Sequence, residues 1–142
     1  MELKVKRLSH TAKLPTKGHS DDHCFDFYAD RDVVLRPGDT CVIHLGVAVV
    51  PPEGYALIFK ERSGLAVRGL AIGAGVIDNG YRGELCAVVR YIDHDPENLF
   101  SIHKGDKIIQ GKLEKTIDAA VVEITDLDET NRGDAGFGST GK

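Results

Sequence analysis

Apolar and polar residues alternate along this chain in short runs that stop and restart. Leu3-Lys4-Val5-Lys6 changes character at every residue, the period of a strand with one face in water. Thr40 to Leu45 and Val47 to Val50 are β-branched and apolar, and Tyr55 to Phe59, Glu84 to Tyr91, Leu99 to His103, Lys107 to Leu113 and Ala119 to Ile124 continue the series. Turn formers separate these runs: Pro37-Gly38-Asp39, Pro51-Pro52-Glu53-Gly54, Asn79-Gly80, Asp95-Pro96-Glu97-Asn98 and Lys104-Gly105-Asp106. Many short strands between such turns predict an all-β sandwich, barrel or jelly roll. Only Ser63 to Val67 reads as a short helix, with Ser63 as its cap.

The pattern changes once, at Arg132 to Lys142, where glycines surround one aromatic ring, two hydroxyls and flanking cations. Glycine brings no side chain to a core, so this stretch is expected to be an arm rather than a layer of the fold. It offers a ring for a base to stack on, free backbone N–H groups, hydroxyls and positive charge, all suited to a nucleoside phosphate. Gly136 to Lys142 fits G-x-x-x-x-G-K, yet the sequence stops at Lys142, before the Ser/Thr and the helix that a phosphate loop requires. The expectation is a flexible arm that closes over a phosphate.

With 142 residues the chain is read as one domain. Its formal net charge of -4 supplies no basic field, so a nucleic-acid partner is not expected. The N-terminal MELKVKRLSH lacks a long apolar run, and nothing later is long enough to span a bilayer, so neither secretion nor membrane insertion is expected. Cys24, Cys41 and Cys86 show no C-x-x-C spacing, which suits reduced thiols in a cytosol-like compartment. The histidines at 10, 19, 23, 44, 94 and 103 lack H-E-x-x-H spacing, so no protein-held zinc is expected. His19 and His23, with Asp21 and Asp22 between them, read as a solvated polar turn. No G-x-S-x-G elbow for a serine hydrolase is present.

Four segments carry candidate chemistry. In Gly73 to Leu85, Asn79-Gly80 signals a two-residue hairpin with Asp78 and Tyr81 at its mouth. Gly73 and Gly75 leave the preceding strand bare enough for another molecule to approach, although these residues alone favour a plain tight hairpin whose Asp caps its own turn and whose Tyr packs on a neighbour. Arg62-Ser63-Gly64, at the start of the short helix, is either a generic anion site or a cap beside a surface arginine. Asp26, in Cys24-Phe25-Asp26-Phe27-Tyr28, reads alone as a strand edge or turn. Gly105 to Gln110 is a turn into a strand carrying one amide.

In this order the segments resemble the five motifs of the homotrimeric dUTPases. Phe25-Asp26-Phe27 is similar to the first, Arg62-Ser63-Gly64-Leu65-Ala66 to the second and Gly75 to Gly83 to the third. Gly105 to Gln110 is similar to the fourth and Arg132 to Gly141 to the fifth. The resemblance implies a jelly-roll-like β-clip fold with one short helix, a β domain over 1-130 and a glycine-rich lid over 131-142. It also implies a homotrimer in which each active site is shared by three copies.

The resemblance further implies Mg²⁺-assisted hydrolysis of dUTP to dUMP and pyrophosphate by attack of water on the α-phosphate. That reaction limits uracil in DNA and supplies dUMP for thymidylate synthesis, in the cytoplasm or a nuclear or viral equivalent. Asp78 would orient or deprotonate the water and bond the 3′-hydroxyl. Tyr81 would pack on the deoxyribose. The backbone around Gly73 and Gly75, with Val76 and Ile77, would read the uracil edge. Arg62, Ser63, Gly64 and Gln110 would hold phosphates, and Asp26 would reach magnesium only through water. In the lid, Phe137 would cover the uracil with Gly138 beside it, and Arg132, Ser139 and Thr140 would bind the γ-phosphate end.

The chain departs from the family pattern at three places. Glu61 stands where proline is usual, either pairing away with a cation or weakening triphosphate binding. His23-Cys24 replaces Ala-Gly, and Gly111 replaces an apolar residue, as a bulge would. A dCTP deaminase relative is disfavoured, because Val88 occupies the position of that enzyme's glutamate base. A non-catalytic or regulatory nucleotide-binding module on the same scaffold is the rival from another class.

Overall fold

A computed structural model describes residues 1–136. In chain order its strands are β1 (Lys4–Arg7), β2 (Phe25–Tyr28), β3 (Val33–Leu35), β4 (Thr40–His44), β5 (Val47–Val50), β6 (Tyr55–Lys60), β7 (Leu70–Ile72), β8 (Val76–Ile77), β9 (Cys86–Tyr91), β10 (Phe100–Ile102) and β11 (Lys107–Lys115). One helix, α1 (Ser63–Ala66), lies between β6 and β7. The pairings are all antiparallel: a four-stranded sheet β2-β11-β6-β8, a three-stranded sheet β4-β9-β7, and the pairs β1-β5 and β10-β3. The chain is therefore all-β with one short helix, as the sequence pattern predicts.

The core forms where inward-facing residues of the two larger sheets meet. Phe27, Leu57, Phe59 and Ile109 come from the four-stranded sheet, and Ile43, Ala87, Val89 and Tyr91 from the three-stranded one. Alternation accounts for most of this, but β11 buries two consecutive residues, Ile108 and Ile109. Strand geometry would send one of them to solvent. A register shift against β2 between Lys107 and Ile109 resolves the conflict, since an irregularity of this kind re-aims side chains. The irregularity in β11 thus lies there rather than at Gly111, which pairs regularly with Phe25 and Phe59. Gly111 is bare for packing reasons: a Cβ there would stand 2.9 Å from the Phe27 ring and 3.0 Å from Leu57. That space admits the edge-to-face pair of Phe27 and Phe59, with ring centroids 5.1 Å apart.

Three further sequence expectations fail. Ala119 to Ile124 forms no strand; the chain from 116 to 124 is irregular, and Val121, Val122 and Ile124 are exposed. A strand needs an edge to pair with, and this segment pairs with none among the described residues. Asn79-Gly80 does not close a hairpin, because β8 pairs with β6 while β9 pairs with β4 and β7. The segment instead carries the chain between sheets through a turn closed by Tyr81 N–H to Asp78 O at 3.1 Å. Flanking strands that do not pair with each other impose no primed turn, and Gly80 stays at ordinary φ. Finally, the residue capping α1 is Arg62, not Ser63, and it makes no side-chain cap bond. Its carbonyl accepts the Leu65 and Ala66 N–H groups, leaving the guanidinium free to act elsewhere.

Candidate active site

The first cluster is built on β2. Alternation buries Phe27 in the core and turns Asp26 to the opposite face of the strand. Arg62 arrives from the end of β6 and donates Nε–H to Asp26 Oδ1 at 3.0 Å and Nη1–H to the Lys107 carbonyl at 3.0 Å. Lys107, which the sequence reading did not single out, places Nζ 2.7 Å from Asp26 Oδ2. The hydrogen bond and charge of Asp26 raise the Lys107 pKa above its ordinary value. Both carboxylate oxygens are therefore engaged, and two cations against one anion leave a surplus positive charge. The signal for Lys107 was available only through register, because β11 runs beside β2 with Gln110 opposite Asp26.

These groups line a cleft of about 620 Å³ with Ser63, Gly64 and Gln110. Of the phosphate-side and metal-side residues expected from the sequence, Asp26, Arg62, Ser63, Gly64 and Gln110 thus come together. Gln110 is partly committed, donating Nε2–H to the Glu61 carbonyl at 2.7 Å. The Glu61 carboxylate turns away from this cleft toward the Ile72 N–H at 3.4 Å, and it lines a different cleft of about 730 Å³ beside Tyr91 and Phe100. It does not pair with a cation among the described residues. His23 and Cys24 sit on the wall of the arginine cleft.

The second cluster is the turn after β8. Asp78, Tyr81, Gly75, Val76 and Ile77 line a slot of about 250 Å³. The turn is fixed by its neighbours. Asn79 Nδ2 lies within 3.3 Å of the Pro51, Pro52 and Tyr55 carbonyls, and Arg82 Nη1 donates to Asn79 O and Tyr81 O. The Tyr81 hydroxyl donates to Glu84 O at 3.0 Å, and its ring lies so close over Gly83 that a Cβ there would meet the hydroxyl oxygen. Asp78 is exposed, and its carboxylate makes no hydrogen bond or ion pair among the described residues. Gly75 is bare mainly because its own chain crowds it, with a Cβ there falling 2.9 Å from Phe59 O. Gly73 packs against Val88 and does not line the slot.

The two clefts share no lining residue. Arg132 lies in neither and donates Nε–H to Ala135 O at 3.0 Å within a turn at positive-φ Gly133. Phe137, Gly138, Ser139 and Thr140 fall outside the described residues.

Residues 10–141 match the family model described as dUTPase. A deoxyuridine 5'-triphosphate nucleotidohydrolase of Thermobifida fusca is 38% identical over 144 residues, covering 99% of this chain and 79% of that protein. The dUTPase of Staphylococcus bacteriophage 80alpha, a G164S mutant solved with dUpNHpp, superposes with a TM-score of 0.89 at 28% identity, covering 99% of both chains. The D95N mutant dUTPase of phage phi11 of S. aureus, solved with a structural Mg(II) ion, superposes with a TM-score of 0.82 at 25% identity over 91% of this chain and 100% of that one. The chain belongs to the dUTPase family.

Proposed function

We propose that the arginine cleft and the Asp78 slot are two parts of one active site, completed by neighbouring copies of the chain. The reaction is that of the family: hydrolysis of dUTP to dUMP and pyrophosphate, which limits uracil available to DNA. The observation that carries the proposal is the complementary chemistry of the two clefts. One presents surplus positive charge with hydroxyl and amide donors; the other presents an unpaired carboxylate beside an aromatic ring. A nucleoside triphosphate needs both.

Phosphoryl transfer depends on positioning and charge neutralisation more than on covalent help. Arg62, Lys107 and the surrounding donors hold the triphosphate. Asp78, exposed and without a side-chain partner among the described residues, acts mainly by orienting the attacking water. Tyr81 packs on the deoxyribose and leaves no room for a 2′-hydroxyl. The 131–142 segment acts as a lid over the β domain of residues 1–130. Within it, Phe137 stacks on uracil and Arg132, Ser139 and Thr140 take the γ-phosphate end.

The donor set suits magnesium only indirectly. Both oxygens of Asp26 already pair with cations, so it reaches an ion through water, which accords with the reluctance of Mg²⁺ to shed its hydration. The ion, bound largely by substrate oxygens, neutralises phosphate charge. The phi11 enzyme's Mg(II) supports use of this metal.

Separate clefts in one chain support the homotrimer. So do the exposed Ile117, Val121, Val122, Ile124 and Leu127, an apolar stretch suited to lie on a neighbouring copy. The free cysteines suit a reducing compartment, and among the described residues no helix is long and apolar enough to cross a membrane. Pyrophosphate release from dUTP, dCTP, dTTP and UTP tests the reading. dUTP should be turned over far faster than the other three; equal rates would overturn the specificity, and no turnover of any would favour a binding module. A native mass of one chain at assay concentration would overturn the shared site.

A further inference from the structure

His44, Glu84 and Cys86 form a cluster that the hydrolytic reading does not use. His44 and Cys86 are direct partners in the β4–β9 ladder, so their side chains leave the same face of the sheet. Glu84, two residues before Cys86, joins them. His44 Nδ1 stands 2.8 Å from Glu84 Oε2 and 3.8 Å from Cys86 Sγ, and all three candidate donor atoms lie within 4.8 Å of one another. The spacing along the chain hid this set, since its members come together only through strand pairing.

We propose that His44, Glu84 and Cys86 form a binding site for a single zinc ion at the edge of the Asp78 slot. Bonds of about 2.0–2.3 Å in a tetrahedron place nitrogen and oxygen ligands about 3.3 Å apart, and nitrogen and sulfur about 3.6 Å apart. The Sγ–Nδ1 separation already meets that requirement, and the Nδ1–Oε2 separation needs to open by only about 0.5 Å. Glu84 is oriented in advance, because its other oxygen, Oε1, accepts the Gly46 N–H at 3.0 Å, the kind of outer contact that aims a metal ligand. On binding, the Cys86 thiol gives its proton to solvent and ligates as thiolate, while His44 ligates through Nδ1 and carries its proton on Nε2. Three protein ligands leave a fourth position for water. Because Glu84 and Cys86 line the slot with Asp78 and Tyr81, that position opens toward the nucleotide side. One nitrogen, one carboxylate and one thiolate select zinc over magnesium, which prefers oxygen ligands throughout.

Titration of metal-free full-length protein with zinc against a chromophoric chelator should show one tight equivalent per chain, undisturbed by millimolar magnesium. His44→Ala and Cys86→Ser should each weaken that equivalent by at least about 100-fold, more than the loss of an outer-shell contact costs. Cobalt used as a spectroscopic stand-in should give a thiolate-to-metal charge-transfer band with the native chain, retained in Cys24→Ser and Cys41→Ser. The cobalt arm needs no ligand variant, so it stands even where a substitution impairs folding. Unchanged zinc affinity in folded His44→Ala and Cys86→Ser, or native protein whose cobalt spectrum lacks the thiolate band, would overturn the proposal.

Discussion

The arginine cleft and the Asp78 slot solve the same problem in opposite ways. In the cleft, the groups proposed to meet phosphate are themselves structural bonds. Asp26 holds Arg62 and Lys107, and Arg62 also ties the start of α1 to the Lys107 carbonyl on β11. In the slot, the functional carboxylate is free, and rigidity comes from the backbone beneath it through Asn79, Arg82 and the Tyr81 ring over Gly83. A charge that must be oriented among other charges is best held by them. A carboxylate that must bind water gains from having no protein partner to compete. The cleft therefore couples function to stability, and the slot separates them.

That separation is tested most severely at Asp78. Asp78→Asn keeps the shape and removes the charge that orients water, so kcat should fall by about 10²–10⁴-fold with little change in KM. Because the carboxylate is exposed and unpaired, stability should stay within about 0.5 kcal/mol of wild type. Pyrophosphate release and thermal denaturation read the two effects independently. A large drop in melting temperature would mean that Asp78 is structural after all. Truncation after Thr130 extends the same logic to the tail. It removes Arg132 and the whole proposed lid while leaving every strand intact, so kcat/KM should fall by about 10² or more, with the melting temperature and native mass preserved. Loss of the oligomer on truncation would make the tail a structural clasp rather than a lid.

Arg62 should behave in the opposite manner. Arg62→Ala strands the half-buried Asp26 with one cation and removes the bond to the Lys107 carbonyl, so stability should fall by about 1–3 kcal/mol while KM for dUTP rises. Arg62→Lys keeps the charge but cannot donate in two directions from a rigid plane, so it should recover only part of either loss. Urea denaturation and steady-state kinetics measure both. An Arg62→Ala chain as stable as wild type would erase the contrast between the two sites.

How far these sites could be read from sequence depends on the kind of contact that builds them. The strands with clear alternation or β-branched runs, such as Lys4–Arg7, Val47–Val50 and Tyr55–Lys60, formed where expected, because burial of one face is a local property. Val33–Leu35 and Leu70–Ile72 were not anticipated, since three residues are too few to show a period. Ala119 to Ile124 carries a strand's composition, but a strand also needs a partner, and this segment pairs with none among the described residues. The Asn79-Gly80 turn was located correctly and given the wrong partner strands, because turn residues report a reversal and not which sheet receives the chain. Asp26, Arg62, Ser63, Gly64 and Gln110 were legible as chemistry only through the order of the motifs. Lys107 and the His44–Glu84–Cys86 group were invisible, because both arise from register between distant strands.

The smallest effect expected lies at the alkaline end of the stability profile, where the charges of the cleft come undone. Asp26 raises the Lys107 pKa, so the folded chain holds that proton more tightly than the unfolded chain does. Its contribution is complete below the ordinary lysine value of about 10.4 and is lost as pH rises through the higher folded value. Tyr91 acts in the same direction: burial, then the hydrogen bond to Asp93, raises its pKa, so its contribution is complete below about pH 10 and fades above it. Lys107→Met should therefore flatten only part of the alkaline fall in melting temperature, leaving the shares that belong to Tyr91, to Lys112 with its Glu114 partner and to the part-buried Cys86. Asp78→Asn should leave that limb untouched, since the Asp78 carboxylate pairs with no cation among the described residues. If Lys107→Met and wild type lost stability in parallel above pH 10, the ion pair with Asp26 would be a solvent-screened contact. The cleft would then owe its order to the two hydrogen bonds of Arg62 alone.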